Sequence, residues 1–429
     1  MAAHVEPTEP PTVATPVPAR RRNEMFRALG HRNFRLFWTG AFLSNVGTWM
    51  QSVAQAWLVY QLTNSPFWLG FDAFLATAPG LVLTLLGGVF ADIVDRKRLL
   101  IFTQVGAGLT ALALATLAAT HVLHWWMILC ASFVTGCCMS LAAPSYQAIT
   151  IDLVGRDDLT NAIALNSTQF QLSRVLGPVF AGPALRYFGA AGCFYANGFS
   201  FVAVVVALAM MQLPAAAVVQ KAASFWQDLG AGFRYVRQRP RVSQLLLISA
   251  FVSLFGAPYF SMLPVFARDV LKMGEVGLSI LGAMAGAGAF VGALVITFLG
   301  NFRRKGWFVL GGALGFSVCL IGFALTEILA VSLAFLFAMG FAIVCSVAVT
   351  NMLLQQLVTD EMRGRVMSMF ILSFIGAMPI GNFLAGLGAQ HLYFRNWIGA
   401  QTTLAIGGVL ILIIVTLIAI RSPRLRALH

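Results

Sequence analysis

The sequence predicts an all-α membrane protein: twelve transmembrane helices arranged as two pseudo-symmetric six-helix bundles. Three observations carry this prediction. The 429 residues are 59% hydrophobic and only 10% charged, where soluble domains carry about 25% charged residues. Apolar runs recur along the whole chain, each long enough to cross a hydrocarbon core of about 30 Å. Short motifs also recur at a half-chain offset, as a duplicated six-helix unit should leave. The alternating pattern of an outer-membrane barrel is absent from the sequence.

Spans are expected at about 34–60, 67–91, 98–120, 124–151, 160–188, 192–212, 243–268, 277–300, 306–326, 329–357, 363–390 and 397–420. The net charge is +13, from 28 Lys and Arg against 15 Asp and Glu. Such a balance can mark a nucleic-acid partner, but here the bases sit in membrane-flanking loops. Roughly 23 of the 28 fall on one side, four on the other and one within a helix. Basic loops stay cytoplasmic, so both termini are expected inside a bacterial inner (cytoplasmic) membrane. The lipid bilayer is the expected partner, and nucleic acid is excluded.

Residues 1–24 are rich in Pro, Thr, Ala and Glu and end near Arg20-Arg21-Arg22. They read as a disordered cytoplasmic tail, and no apolar core follows them as in a secretory signal peptide. A first bundle is expected over 25–212 and a second over 243–420, with a basic tail at 421–429. Between the bundles, 213–242 is the longest polar segment. It places Phe225, Trp226, Leu229, Phe233 and Val236 broadly on one helical face, with Arg234, Arg237, Arg239 and Arg241 nearby. That reads as an interfacial amphipathic linker on the inner leaflet, with a calmodulin-type target as the alternative. The repeat pairs Leu153-Val154 with Leu357-Val358 at an offset of about 204. The same offset pairs Gly177 with Gly381, Ala181 with Ala385 and Gly182 with Gly386. An offset of about 208 sets Asp95-Arg96-Lys97 against Arg303-Arg304-Lys305.

The stretch from Gly87 to Arg98 packs two acids and three bases into a short turn between two spans. A turn this short makes the flanking helices antiparallel neighbours. Gly88, Asp92, Arg96 and Lys97 match the loop 2–3 signature of the major facilitator superfamily, Gly-x-x-x-Asp-x-x-Gly-Arg-Arg/Lys, which the stretch resembles. Asp95 stands in place of the second glycine, and Arg98 adds a further base. The segment Phe34-Arg35-Leu36-Phe37-Trp38 and the Asp-x-x-Asp-Arg-Lys-Arg loop look like the branch of enterobactin exporters and macrolide efflux proteins. The resemblance covers essentially everything from residue 30 onward. It implies the facilitator fold, a monomer, no cofactor and alternating access. It also implies that Asp92 faces the N-terminus of the eleventh span, and that Arg96 pairs with Asp152 in a cytoplasmic latch that breaks when the inside opens. Asp157 or Asp158 could replace Asp152 as partner.

Gly177-Pro178-Val179-Phe180-Ala181-Gly182 resembles the facilitator antiporter motif, Gly-Pro-x-x-Gly-Gly. Proline bends the span and small residues allow close packing against the other half. In families with this motif the contact favours export; a routine kinked helix is the alternative. Arg174 sits one turn earlier, where a charge within a span faces a cavity or a partner. It is read as the coupling or gating cation, with a structural ion pair or hydrogen-bonded clamp as the alternative. The fourth-span motif of the superfamily places an arginine four residues before a glycine; here Gly136 fits, but Ser132 occupies the arginine position. Asp72 is the clearest acid embedded in an apolar segment. It is therefore the leading proton carrier, with an interfacial acid facing water as the alternative.

A polar stripe, Asn45, Thr48, Ser52 and Gln55, follows one face of the first span. Ser346, Thr350, Asn351 and Gln355 do the same in the tenth, and the fourth adds Tyr146 and Gln147. These residues are expected to line a central cavity, or to bond between helices. The largely neutral lining, rich in Phe, Trp and Met, suits an amphipathic cargo. The six cysteines lie in apolar segments without metal-ligand spacing, and His121 and His124 lack a third ligand. Walker, serine-elbow and zinc-enzyme motifs are absent, so neither ATP nor enzymatic chemistry is expected. The reading is a proton-coupled exporter of small molecules such as drugs or siderophores. The alternatives are an uptake symporter of the same fold and a transport-inactive membrane sensor.

Overall fold

Within the described residues, the expected apolar segments fold as helices. The computed structural model describes residues 24–83, 95–211, 225–300, 302, 304–392 and 398–426, and no strand occurs among them. The first half contains α1 (Arg32–Thr63), α2 (Pro66–Leu83), α3 (Arg96–Ala119), α4 (Trp125–Val154) and α5 (Leu159–Met210). The second half contains α7 (Pro240–Val270), α8 (Gly274–Leu299), α9 (Lys305–Leu325), α10 (Leu329–Leu357), α11 (Asp360–His391) and α12 (Gly399–Arg421). A shorter helix, α6 (Phe225–Gln238), precedes α7.

Among the described residues, ten helices are long and apolar enough to cross a membrane. Two physical details reconcile this with twelve expected spans. At Gly189, φ is +64°, a conformation that costs glycine little. There α5 turns back on itself, so its two limbs supply the fifth and sixth spans. The helix left out by hydropathy is α1, whose Asn45, Thr48, Gln51, Ser52 and Gln55 dilute its apolar character. At the start of α7, Pro240 takes the first helical turn, where its missing N–H costs nothing. The helix therefore begins earlier than the expected 243.

The duplication is visible in the packing. A Cβ on Gly177 of α5 would run into Trp49 and Met50 of α1, and one on Gly381 of α11 into Leu254 of α7. Gly381 lies 204 residues after Gly177, and Leu254 lies 204 after Met50. The seams between the halves repeat in the same way. Gly182 of α5 meets Ser279 of α8, and Gly386 of α11 meets Gly70 of α2. Where Gly70 faces Gly386, any Cβ on Gly70 would collide with the α11 backbone. Close backbone approach through small residues is how membrane helices gain packing energy when lipid offers as much apolar contact as protein. The helices α3 and α9, which follow the matching basic loops, start at Arg96 and Lys305. Arg303 lies outside the described residues.

The linker helix α6 docks on the bundle with one face. Gly232 lies against Met369 and Arg365 of α11, and Val236 is buried. Phe233, on the same helix, is 63% exposed. The side chains of Phe225, Trp226 and Leu229 lie outside the described set, as do the tail 1–23 and the segment 212–224.

Candidate transport pathway and gates

Asp72 is carried by α2 into the wall it shares with α1 and α4. It is only 7% exposed, which sets aside the reading of an interfacial acid facing water. Gln55 of α1 donates from Nε2 to Asp72 Oδ2 at 3.0 Å, and the Ser132 hydroxyl of α4 donates to Oδ1. Gln55 also donates to Ser132 Oγ at 2.7 Å. Three helices thus meet on one acid through neutral donors. Serine at the position where the superfamily carries arginine explains the arrangement. Among the described residues no cation pairs with Asp72.

Arg174 stands where the halves meet. Its Nη2 donates to the Tyr259 hydroxyl of α7 at 3.3 Å, and its guanidinium carbon lies 5.6 Å from the centre of the Trp49 ring. Trp49 in turn meets Phe170 and Phe260 edge-on, at 6.0 and 5.6 Å. Of the two alternatives, an ion pair is not found among the described residues, whereas the hydrogen-bonded contact to the other half is. One atom, Nε, is buried with no hydrogen-bond partner.

The Gly177–Gly182 motif lies immediately beyond Arg174, in close contact with both halves. Pro178 packs against Gly282 of α8, where a Cβ would come within 3.3 Å of it. Ala181 is buried, and Gly286 of α8 faces the Arg174 carbonyl. Tight packing of this motif against the other half is therefore present.

At the end of the bundle where α3 starts and α4 stops, Arg96 Nη1 meets Asp152 Oδ2 at 3.0 Å. This is the expected pair, but it joins α3 to α4 within one half. It does not bridge the two halves, so it need not break as they separate. Asp95 caps α3 by accepting from the Arg98 backbone N–H at 3.0 Å. A carboxylate in place of the signature glycine thus satisfies an orphan donor at a helix start. Lys97 donates to the carbonyls of Ala209 and Met211, at 3.2 and 2.7 Å, at the end of α5, where a cation complements the helix dipole. Asp158 is not an alternative partner for Arg96, because it binds Arg27 at 2.9 Å and His31 at 2.8 Å. Gly88 and Asp92 lie outside the described residues.

The polar stripe divides. Gln55 serves the Asp72 cluster, and Thr48 reaches Asn197 of α5 at 3.5 Å. Ser52 donates to the Thr48 carbonyl of its own helix, and Asn45 is half-buried. Ser346 and Thr350 do not line a cavity. They are 4% and 1% exposed, Ser346 donates to the Val309 carbonyl of α9 at 3.1 Å, and Thr350 donates back to Ser346. The covering helix α9 takes that face of α10. Asn351 and Gln355 bond to each other, with Gln355 exposed. Gln147 is exposed, while Tyr146 packs its ring 4.6 Å from Phe37.

Sequence reasoning missed the closure at the opposite end. There the Tyr60 hydroxyl donates to Asp269, and Arg268 binds Asp269 at 2.8 Å. Arg268 also donates to Asn64 and lies 3.8 Å over the Tyr60 ring. Ser65 donates to Gln390 at 2.7 Å, and Phe67, Phe71 and Phe74 surround Phe383. The halves are joined across this end. A buried pair, Gln51 and Asn197 at 2.7 Å, was also missed.

Two six-helix halves joined at glycine seams, with an acid cluster and an interfacial arginine, define a multi-pass facilitator-type membrane transporter. The profile of one family, the transmembrane secretion effectors of the major facilitator superfamily, matches residues 24–428. The chain belongs to that family and is a transporter, not an enzyme. It is 22% identical over 382 residues to a macrolide efflux protein A of Streptococcus pyogenes, covering 87% of this chain and 93% of that protein. It is 26% identical over 394 residues to an enterobactin exporter of Shigella boydii, covering 90% and 92%. Among solved structures, a nucleoside transporter superposes with a TM-score of 0.69 at 12% identity, covering 91% of this chain and 99% of that one. A bacterial homologue of the lysosomal transporter Spinster, inward-facing and unoccupied, gives 0.65 at 15%, covering 95% and 97%.

Proposed function

We propose that this protein is a proton-coupled exporter of amphipathic small molecules in a bacterial inner membrane, with both termini cytoplasmic. The observation that carries the proton coupling is the Asp72 cluster, a buried acid held only by the neutral donors Gln55 and Ser132. Such an acid can keep its hydrogen bonds in either protonation state, so it can gain and lose a proton as water reaches it from alternate sides. Arg174 transmits the change, because it touches Trp49 of the first half and Tyr259 of the second. The direction is outward: the antiporter-like motif from Gly177 to Gly182 is packed against the other half, and relatives of similar length carry the names of exporters. Aromatic rings around the interface suit amphipathic cargo, drugs or siderophores among them. The bundles 25–212 and 243–420 rock about the glycine seams as a monomer, and the closed far end corresponds to a state sealed from outside.

The test compares accumulation of a compound panel in cells with and without the protein, before and after a protonophore. Lower accumulation that the protonophore reverses is expected. Higher accumulation in expressing cells points to uptake, and no difference across the panel removes the transport reading.

A further inference from the structure

Where α7 begins and α10 and α12 end, the structure holds a cavity of about 630 Å³. Its walls include Arg239, Arg241 and Arg421, with Gln238, Gln244 and Ser422 between them. No carboxylate lines it, and among the described residues none of the three arginines forms an ion pair. Arg239 is held in place by stacking 4.4 Å from the centre of the Tyr235 ring. Ser422 is only 6% exposed, and its hydroxyl is buried with no hydrogen-bond partner. Three exposed arginines and one buried, unpartnered hydroxyl thus line a cavity that carries no acidic group.

The position of the cavity narrows the chemistry. Pro240 opens a membrane-spanning helix and Arg421 closes one, so the cavity lies at the depth of the lipid headgroups. Basic pockets between helices at this depth hold anionic headgroups. Guanidinium groups match phosphate oxygens with paired N–H donors.

We propose that this cavity is a binding site for a phosphate group, contributed by the headgroup of an anionic lipid or by soluble phosphate. The inference goes beyond the transport reading and stands apart from it, since the site lies outside the Asp72 and Arg174 clusters. Bound phosphate ties the start of α7 to the end of α12. Arg241 and Arg421 supply charge, and the Ser422 hydroxyl donates the remaining hydrogen bond.

The test uses the purified full-length protein, exchanged into mixtures of phosphatidylglycerol, cardiolipin and phosphatidylcholine, with retained lipid measured by native mass spectrometry. The anionic lipids should be retained about tenfold over phosphatidylcholine. The double variant Arg241→Gln/Arg421→Gln should bring that ratio near unity. A charge-matched control, Arg234→Gln/Arg237→Gln on α6 outside the cavity, should leave it in place. A second arm adds millimolar inorganic phosphate and follows thermal unfolding of delipidated protein. Stabilisation that the cavity variant loses, without lipid preference, assigns the site to soluble phosphate. Equal loss in both double variants, or neither lipid preference nor phosphate stabilisation in the unaltered protein, overturns the proposal.

Discussion

Asp72 and Arg174 show how single residues carry the transport reading. Replacing Asp72 by Asn keeps the shape and one of the two acceptor oxygens that Gln55 and Ser132 donate to, while removing the exchangeable proton. Protonophore-sensitive efflux is expected to fall by at least about tenfold in Asp72→Asn, with unchanged expression and unfolding temperature. Efflux at the original rate would take Asp72 out of the mechanism. Arg174→Lys retains charge but loses the planar group that lies over Trp49 and reaches Tyr259. It should transport more slowly than the parent yet faster than Arg174→Ala, and Arg174→Ala should lose the pH dependence of transport. Both residues were legible in the sequence, because a charge in an apolar run stands out. Their surroundings were not. Ser132 registered only as an arginine missing from a motif, and its bond to Asp72 depends on three helices meeting.

At the scale of helices, glycine placement decides what can pack. Gly386 faces Gly70 so closely that a Cβ would come within 3.0 Å of the Gly70 Cα and 2.9 Å of the Phe67 carbonyl. Gly386→Val should therefore destabilise the protein by about 1–3 kcal/mol, as overpacked sites do, read as a lower unfolding temperature in detergent. Gly315 in α9 has open space where its Cβ would be. Gly315→Ala should be neutral or stabilising by about 0.5–1 kcal/mol, since alanine is the better helix former. Equal effects at the two sites would show that the seam is looser than its geometry. The helices themselves, and the glycine pairs at a common offset, were readable from sequence because length and spacing are local properties. The facing of a stripe was not. Ser346 and Thr350 share a helix face by spacing alone, but only the position of α9 reveals that the face is covered.

For the whole molecule, the proposed alternating-access cycle makes the far-end cluster the contact that sets the balance between its two states. Tyr60 and Arg268 are 208 residues apart, and in sequence each is an ordinary span-flanking residue. Nothing local links them, so the closure emerges only from assembly of the halves. Asp269→Asn removes a charged acceptor shared by Tyr60 and Arg268, and such bonds contribute about 1.5–3 kcal/mol. The open-to-closed ratio at that end should rise by roughly tenfold or more. Spin labels at Leu62 and Leu392, both on exposed positions near that end, report it as a growing long-distance population. An unaltered distance distribution would mean that the aromatic cluster around Phe383 suffices to hold the end shut.

The facing glycines of α2 and α11 have a consequence for speed. Where Gly70 meets Gly386 no side chain stands between the two backbones, so that point of contact can slide with little change in dispersion energy, unlike the neighbouring rings around Phe383. Friction during a transport cycle therefore arises at the rims, where charged and aromatic groups must part, and turnover should respond more to a rim substitution than to a conservative change along the axle.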